Sequence, residues 1–183
     1  QTQLDEFMVR TMSRKILIAL TLALLAFTTT ANSQSGLADI THEGIEVKAV
    51  WISMPDGVRL AADLFMPADR EPNAKFPVLF ELIPYRKDEG RHKRFKLFSY
   101  FVKQGYIVVR ADVRGSGTSE GKLPEYEYSD QELDDGEFVI DWLSKQPWST
   151  GNVGMFGISW GAFNSTQIAM RNPPALKAII AVM

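Results

Sequence analysis

Short apolar runs alternate with amphipathic stretches from Lys48 to the last residue, and that alternation predicts a succession of strands and helices. "KAVWISMPDGVRLAADLFMP" (Lys48 to Pro67) reads as two strands joined at Pro55-Asp56-Gly57, because an Asp-Gly pair suits a tight hairpin turn. The nearly continuous apolar run from Phe76 to Tyr85 predicts a strand buried on both faces, as in a parallel sheet. A helix is expected over Lys96 to Lys103, stopped by Gly105 as a C-terminal glycine cap. Tyr106 to Gly115 is the next buried strand, running out into the loop "RGSGTSEG". In the helix that follows, Leu133, Phe138, Ile140, Trp142 and Leu143 interleave with Glu132, Asp134, Asp135 and Glu137 ahead of Pro147. Those acids crowd its first turns, where the helix dipole favours negative charge. "NVGMFGIS" predicts a short buried strand, "WGAFNSTQIAMRN" a helix ended before Pro173, and "LKAIIAVM" a final strand.

Strands alternating with helices imply right-handed crossovers, and so an α/β fold with a mainly parallel sheet and flanking helices. Neither internal repeats nor low-complexity linkers interrupt residues 34–183. The last apolar run reaches Met183 without a closing helix, so this sequence is expected to be the N-terminal portion of a longer protein.

Residues 12–33, "MSRKILIALTLALLAFTTTANS", have the order of a secretory signal peptide: a basic start at Arg14 and Lys15, an apolar core from Ile16 to Phe27, then small polar residues. The core is short for a membrane span, which needs about 20 residues, so no stable membrane anchor is expected. Ala31-Asn32-Ser33 offers small residues for cleavage before Gln34. Residues 1–33 are accordingly assigned to the signal peptide and what lies upstream of it, and residues 34–183 to the folded domain. Without the first 33 residues, which hold three cations and two anions, the remainder carries a net charge of −3. No basic stripe is left for a phosphate backbone, and nucleic acid is not an expected partner. With no cysteine in the chain, stability must come from a core and not from disulfides. A bacterial periplasmic or secreted enzyme fits that combination.

The candidate chemistry lies in Gly157-Ile158-Ser159-Trp160-Gly161, a G-x-S-x-G sequence with a strand predicted before it and a helix after it. That context defines a nucleophile elbow, in which a strained turn lifts the serine hydroxyl above the sheet and the Trp160 backbone N–H is placed to stabilise an oxyanion. The bland alternative is a small residue at a tight turn. Ser116, Ser119 and Ser165 lack the strand-to-helix context and are expected in loops or on a helix surface. A serine hydroxyl needs a base. The two histidines, His42 and His92, both precede the elbow, whereas this fold's order is serine, then acid, then histidine. Each is expected at the surface, His92 in the cationic loop "RKDEGRHKR", and Asp112 is expected to organise the "DVRGSG" loop.

Five blocks, "WISMPDGVRLAADLFMP", "FPVLFELIPYRKD", "GYIVVRADVRGSGTSEG", "QELDDGEFVIDWLSKQPWSTGNVGMFGISWGAF" and "PPALKAII", together resemble the N-terminal half of the CocE/NonD hydrolases. That group contains cocaine esterase and Xaa-Pro dipeptidyl-peptidase-like serine hydrolases. The resemblance implies an α/β-hydrolase fold without its C-terminal part, helical cap and jelly-roll domain. It implies Ser159 as acyl-forming nucleophile, Tyr85 of "PYRK" as an oxyanion-hole donor beside the Trp160 N–H, and a triad Asp and His beyond Met183. It also implies a small ester or peptide substrate, with no metal or organic cofactor. Tyr85 has its own plainer alternative, an aromatic packing at a strand end. The chain departs from the family pattern in carrying Trp160 where tyrosine is frequent, and in lacking an extra residue that many members place before the second glycine. Two rival readings stay open: a non-catalytic binding member of the fold, and a fragment inactive by itself.

Overall fold

The computed structural model describes residues 40–89 and 91–182; the signal-peptide assignment lies outside them. Within that range run β1 (Ile40–His42), β2 (Ile45–Ser53), β3 (Arg59–Pro67), β4 (Phe76–Ile83), α1 (Arg91–Lys103), β5 (Ile107–Asp112), α2 (Asp130–Ser144), β6 (Ser149–Ile158), α3 (Trp160–Arg171) and β7 (Leu176–Val182). The strands form one sheet in the order β1-β2-β3-β5-β4-β6-β7. From β1 to β5 the pairs are antiparallel, and from β5 through β4 and β6 to β7 they are parallel. The serine lies on the parallel side, at the C-terminal end of β6.

Two apolar layers hold the sheet between helices. On one face Leu64, Val78, Phe80, Leu82, Val109 and Met155 pack with Leu133, Val139, Ile140 and Leu143 of α2 and Ile168 of α3. Trp142 and Trp148 lie partly buried against this cluster, as core residues do. On the other face Phe65, Val108 and Phe156 meet Phe98 and Val102 of α1. Alternation along the central strands gives each layer its share, because successive residues point to opposite faces.

The same alternation puts charge inside the α1 face. Asp63 of β3, Arg110 of β5 and Glu81 of β4 are in register across three neighbouring strands, and all three are buried. Glu81 and Arg110 approach to 3.4 Å. Burial pushes the Glu81 carboxyl above its usual value, against the opposing pull of Arg110 and Arg94, and pushes the Arg110 guanidinium down. Toward the other end of the strands, this face opens into a groove of about 470 Å³ lined by residues that include Leu79, Phe101, Tyr106 and Ile179. None of its lining residues belongs to the elbow.

Several expected elements shift. The α1 helix begins at Arg91 and not at Lys96, which places His92 in a helix and not in a loop. Its first turn is charged, so a reading based on apolar spacing starts only near Phe95. The β1–β2 hairpin, turning at Glu43 and Gly44 with positive φ of 51° and 75°, was not expected; a lone Glu-Gly pair is a weak turn signal. The β6 strand starts at Ser149. Ser165 is buried within α3, its hydroxyl donating to the Gly161 carbonyl at 2.6 Å, and is not a surface residue. It is buried in a helix that packs against β6 and β7.

Candidate active site

Ser159 stands between β6 and α3 with φ 55° and ψ −119°, a conformation that costs a non-glycine residue on the order of 1–3 kcal/mol. Its surroundings enforce it. The Ser159 N–H donates to the Val182 carbonyl of β7 at 3.0 Å, and its own carbonyl accepts from Ala162 and Phe163 N–H at 2.9 and 3.1 Å. The hydroxyl makes no capping bond to the helix. A serine at a helix start normally uses its oxygen for that purpose, so here the side chain is left for other partners.

Gly157 permits the sharp return. A Cβ at that position would stand 2.6 Å from Gly161 Cα and 2.7 Å from Gly161 O, within the backbone of the helix start. Gly161 is different: a Cβ there would meet its nearest neighbour, Ile83 Cγ2, at 3.6 Å.

Tyr85 and the Trp160 N–H, the two expected partners, meet beside the hydroxyl. Tyr85 Oη lies 3.2 Å from Ser159 Oγ, and the Trp160 N–H donates to the same Tyr85 oxygen at 3.4 Å. Tyr85 follows β4, is 47% exposed, and points its phenol over the elbow instead of packing into the core. Two donors 3.4 Å apart can both reach one oxygen placed about 2.8 Å from each, the geometry required of an oxyanion hole.

The loop bearing Tyr85 is fixed from below. Arg86 has a positive φ of 66°, and the buried Lys87 donates its backbone N–H to Asp112 Oδ1. The Lys87 ammonium lies 3.0 Å from Asp63 and 3.1 Å from Asp88. Asp112 also accepts from Thr118 N–H at 3.1 Å, and its carbonyl accepts from the Ser119 hydroxyl at 2.8 Å. Asp112 therefore organises the "DVRGSG" loop as expected and ties it to the Tyr85 loop as well, a link between residues 25 apart that no local pattern announces. Burial raises the Asp112 carboxyl's pKa despite the two backbone N–H bonds that oppose the rise. Farther along this loop, Arg114 makes a two-pronged pair with Asp135 of α2 at 2.8 and 2.7 Å.

His42 does not join the site. It is at the surface, its ring tilted against Phe95 at 5.0 Å, in a strand five places across the sheet from β6. At about 4.8 Å per strand that is roughly 24 Å away. His92 belongs to α1. Among the described residues no group of three or more His, Cys, Asp or Glu is arranged to hold a metal.

An acid at the start of α2, whose place there the helix dipole explains, also reaches the elbow. Glu132 of α2 is buried, and its Oε1 accepts from the Trp160 indole N–H at 2.7 Å and from Asn164 Nδ2 at 2.8 Å.

A strained serine between strand and helix, on a mixed sheet with helices on both faces, defines the α/β-hydrolase fold. Within that fold the chain belongs to the X-Pro dipeptidyl-peptidase (S15 family), whose model matches residues 56–183. It is 37% identical over 139 residues to cocaine esterase from a Rhodococcus species, covering 71% of this chain and 22% of that protein. Among solved structures it is similar to a CocE/NonD family hydrolase from Staphylococcus aureus, with a TM-score of 0.64, 30% identity, and coverage of 74% of this chain and 27% of the other. An aminopeptidase from a marine sediment thaumarchaeon is similar at TM-score 0.62 and 25% identity, covering 82% and 28%. The chain thus spans about a quarter of the length of these relatives.

Proposed function

We propose that the protein is a serine hydrolase that cleaves a small ester or amide through an acyl-enzyme on Ser159. The observation that carries this reading is the placement of Tyr85 Oη against a serine hydroxyl that does not cap its own helix, with the Trp160 N–H directed at that same phenol oxygen. Ser159 Oγ attacks the substrate carbonyl carbon. The electron pair of the C=O bond moves to oxygen, where the neutral phenol of Tyr85 and the Trp160 amide donate to it. A histidine held by a carboxylate takes the Oγ proton and passes it to the leaving group. In this proposal both belong to sequence after Met183. Water then attacks the acyl ester with the same histidine as base, releasing acid and free serine. The start of α3, whose dipole is positive at Ser159, favours the same developing charge. No residue in this scheme requires a metal or organic cofactor.

The order of residues 12–33 supports export to the periplasm or beyond, where a cysteine-free hydrolase meets exogenous esters and peptides. The test is hydrolysis by the full-length gene product of p-nitrophenyl esters and Xaa-Pro p-nitroanilides. Ser159→Ala is expected to abolish turnover, and Tyr85→Phe to lower kcat by about 100-fold, as loss of one oxyanion donor does. A folded Ser159→Ala protein with full turnover would refute the proposal.

A further inference from the structure

We propose that Glu132 is a positioning residue for the oxyanion hole, holding the Trp160 that supplies one of its donors; the inference rests on the hydrolase reading above. The carboxylate is 2% exposed and has no ion pair among the described residues. One oxygen, Oε1, takes both the Trp160 indole N–H and the Asn164 amide. These two residues stand one turn apart at the start of α3, so the acid grips the helix end that begins at the elbow. Asn164 Nδ2 is also 3.3 Å from the Leu82 carbonyl of β4, three residues before Tyr85. The two proposed oxyanion donors lie just after β4 and at the start of α3, and Asn164 links β4 to the carboxylate oxygen that also holds the Trp160 indole.

The rest of the indole is confined as well. Tyr128 lies at 4.8 Å between ring centroids and itself meets Phe163 at 5.2 Å, while the Tyr85 ring stands edge-on to the indole at 6.5 Å. Tyr128 has a positive φ of 57° and precedes Ser129, whose hydroxyl accepts from the Glu132 N–H at 3.3 Å and caps α2. The capped start of α2 fixes Glu132, Glu132 fixes the indole, and the same residue's backbone N–H, which donates to Tyr85 Oη, is the second donor of the proposed hole. A carboxylate is suited to this place because its charge strengthens both bonds and the dipole of α2 favours it there. Without the bond, only the ring contacts hold the indole, and small displacements of an oxyanion donor are costly in rate.

The test uses the full-length gene product with Glu132→Leu, Glu132→Gln, Trp160→Phe and the double variant Glu132→Leu/Trp160→Phe. The readouts are kcat and KM for a p-nitrophenyl ester, the rate of fluorophosphonate labelling, and thermal unfolding. Glu132→Leu and Trp160→Phe are each expected to lower kcat and the labelling rate about tenfold or more, with KM changed less than about threefold. The double variant is expected to be no slower than the slower single one, because both remove the same bond. The amide oxygen of Glu132→Gln still accepts both bonds and is expected to recover most of the rate. If Glu132→Leu fails to fold, Trp160→Phe decides. A folded Trp160→Phe enzyme with wild-type kcat overturns the inference, as do losses that multiply in the double variant. Wild-type protein that neither labels nor hydrolyses would overturn the hydrolase reading itself, and this inference with it.

Discussion

The two glycines of G-x-S-x-G are predicted to be unequal. Gly157→Ala would place its new methyl 2.6–2.7 Å from the Cα and O of Gly161, close to 1 Å inside ordinary contact. These are backbone atoms, so no side-chain rotation relieves the overlap; the start of α3 must move instead. Overpacking of that kind costs about 1–3 kcal/mol. A shift approaching 1 Å at Trp160 is expected to lower kcat on the order of a hundredfold. Gly161→Ala meets no such obstacle, since Ile83 Cγ2 lies at 3.6 Å and Glu81 Cγ and Leu82 O at 3.8 Å. Gly161 is inside α3 with an ordinary helical φ, so alanine is expected to add roughly 0.5–1 kcal/mol. The assay is ester hydrolysis by the two full-length variants beside their thermal midpoints. Equal damage from both substitutions, or a Gly157→Ala enzyme with wild-type kcat, would refute this account of the elbow.

Two further outcomes follow from the buried charges under α1. Arg110 Nε is the cation 3.4 Å from the buried Glu81 carboxyl, so Arg110→Leu leaves that carboxyl with Arg94 acting on it and is expected to cost about 3 kcal/mol, whereas adding Glu81→Leu restores stability to the wild-type level or above; equilibrium unfolding of the three proteins decides, and a double variant as unstable as the single one counts against this expectation. The Glu81 carboxyl binds its proton more tightly when folded than at its ordinary value of 4.5, so the folded state holds the extra proton just above that pH and stability falls as pH rises through the raised native value. Glu81→Gln is expected to flatten that decline in a profile of thermal midpoint against pH, and an unchanged slope would contradict it.

The elbow was legible in the sequence because its signal is local: five residues with a strand before and a helix after. Tyr85 was reachable only through resemblance, since the bond between Tyr85 and Ser159 spans 74 residues and no periodicity points across that gap. Glu132 illustrates the limit most plainly. Its place in the first turn of α2 has a sufficient explanation in the helix dipole, which hid a second use that exists only once α2 and α3 are packed together. Charge on a buried face misled in the same way: Glu81 and Arg110 sit inside apolar runs that predict fully buried strands, and their pairing depends on the register of β4 against β5. The antiparallel β1–β2 hairpin went unseen because its turn, Glu43-Gly44, uses a non-glycine residue at positive φ.

The most direct test of the central claim is fluorophosphonate labelling of the full-length gene product, read by peptide mass spectrometry with Ser159→Ala as control. The account predicts one modified peptide, the one containing Ser159, and no label in the Ser159→Ala protein. Label on another serine, or none on well-folded wild-type protein, would contradict it and favour a binding role for the fold.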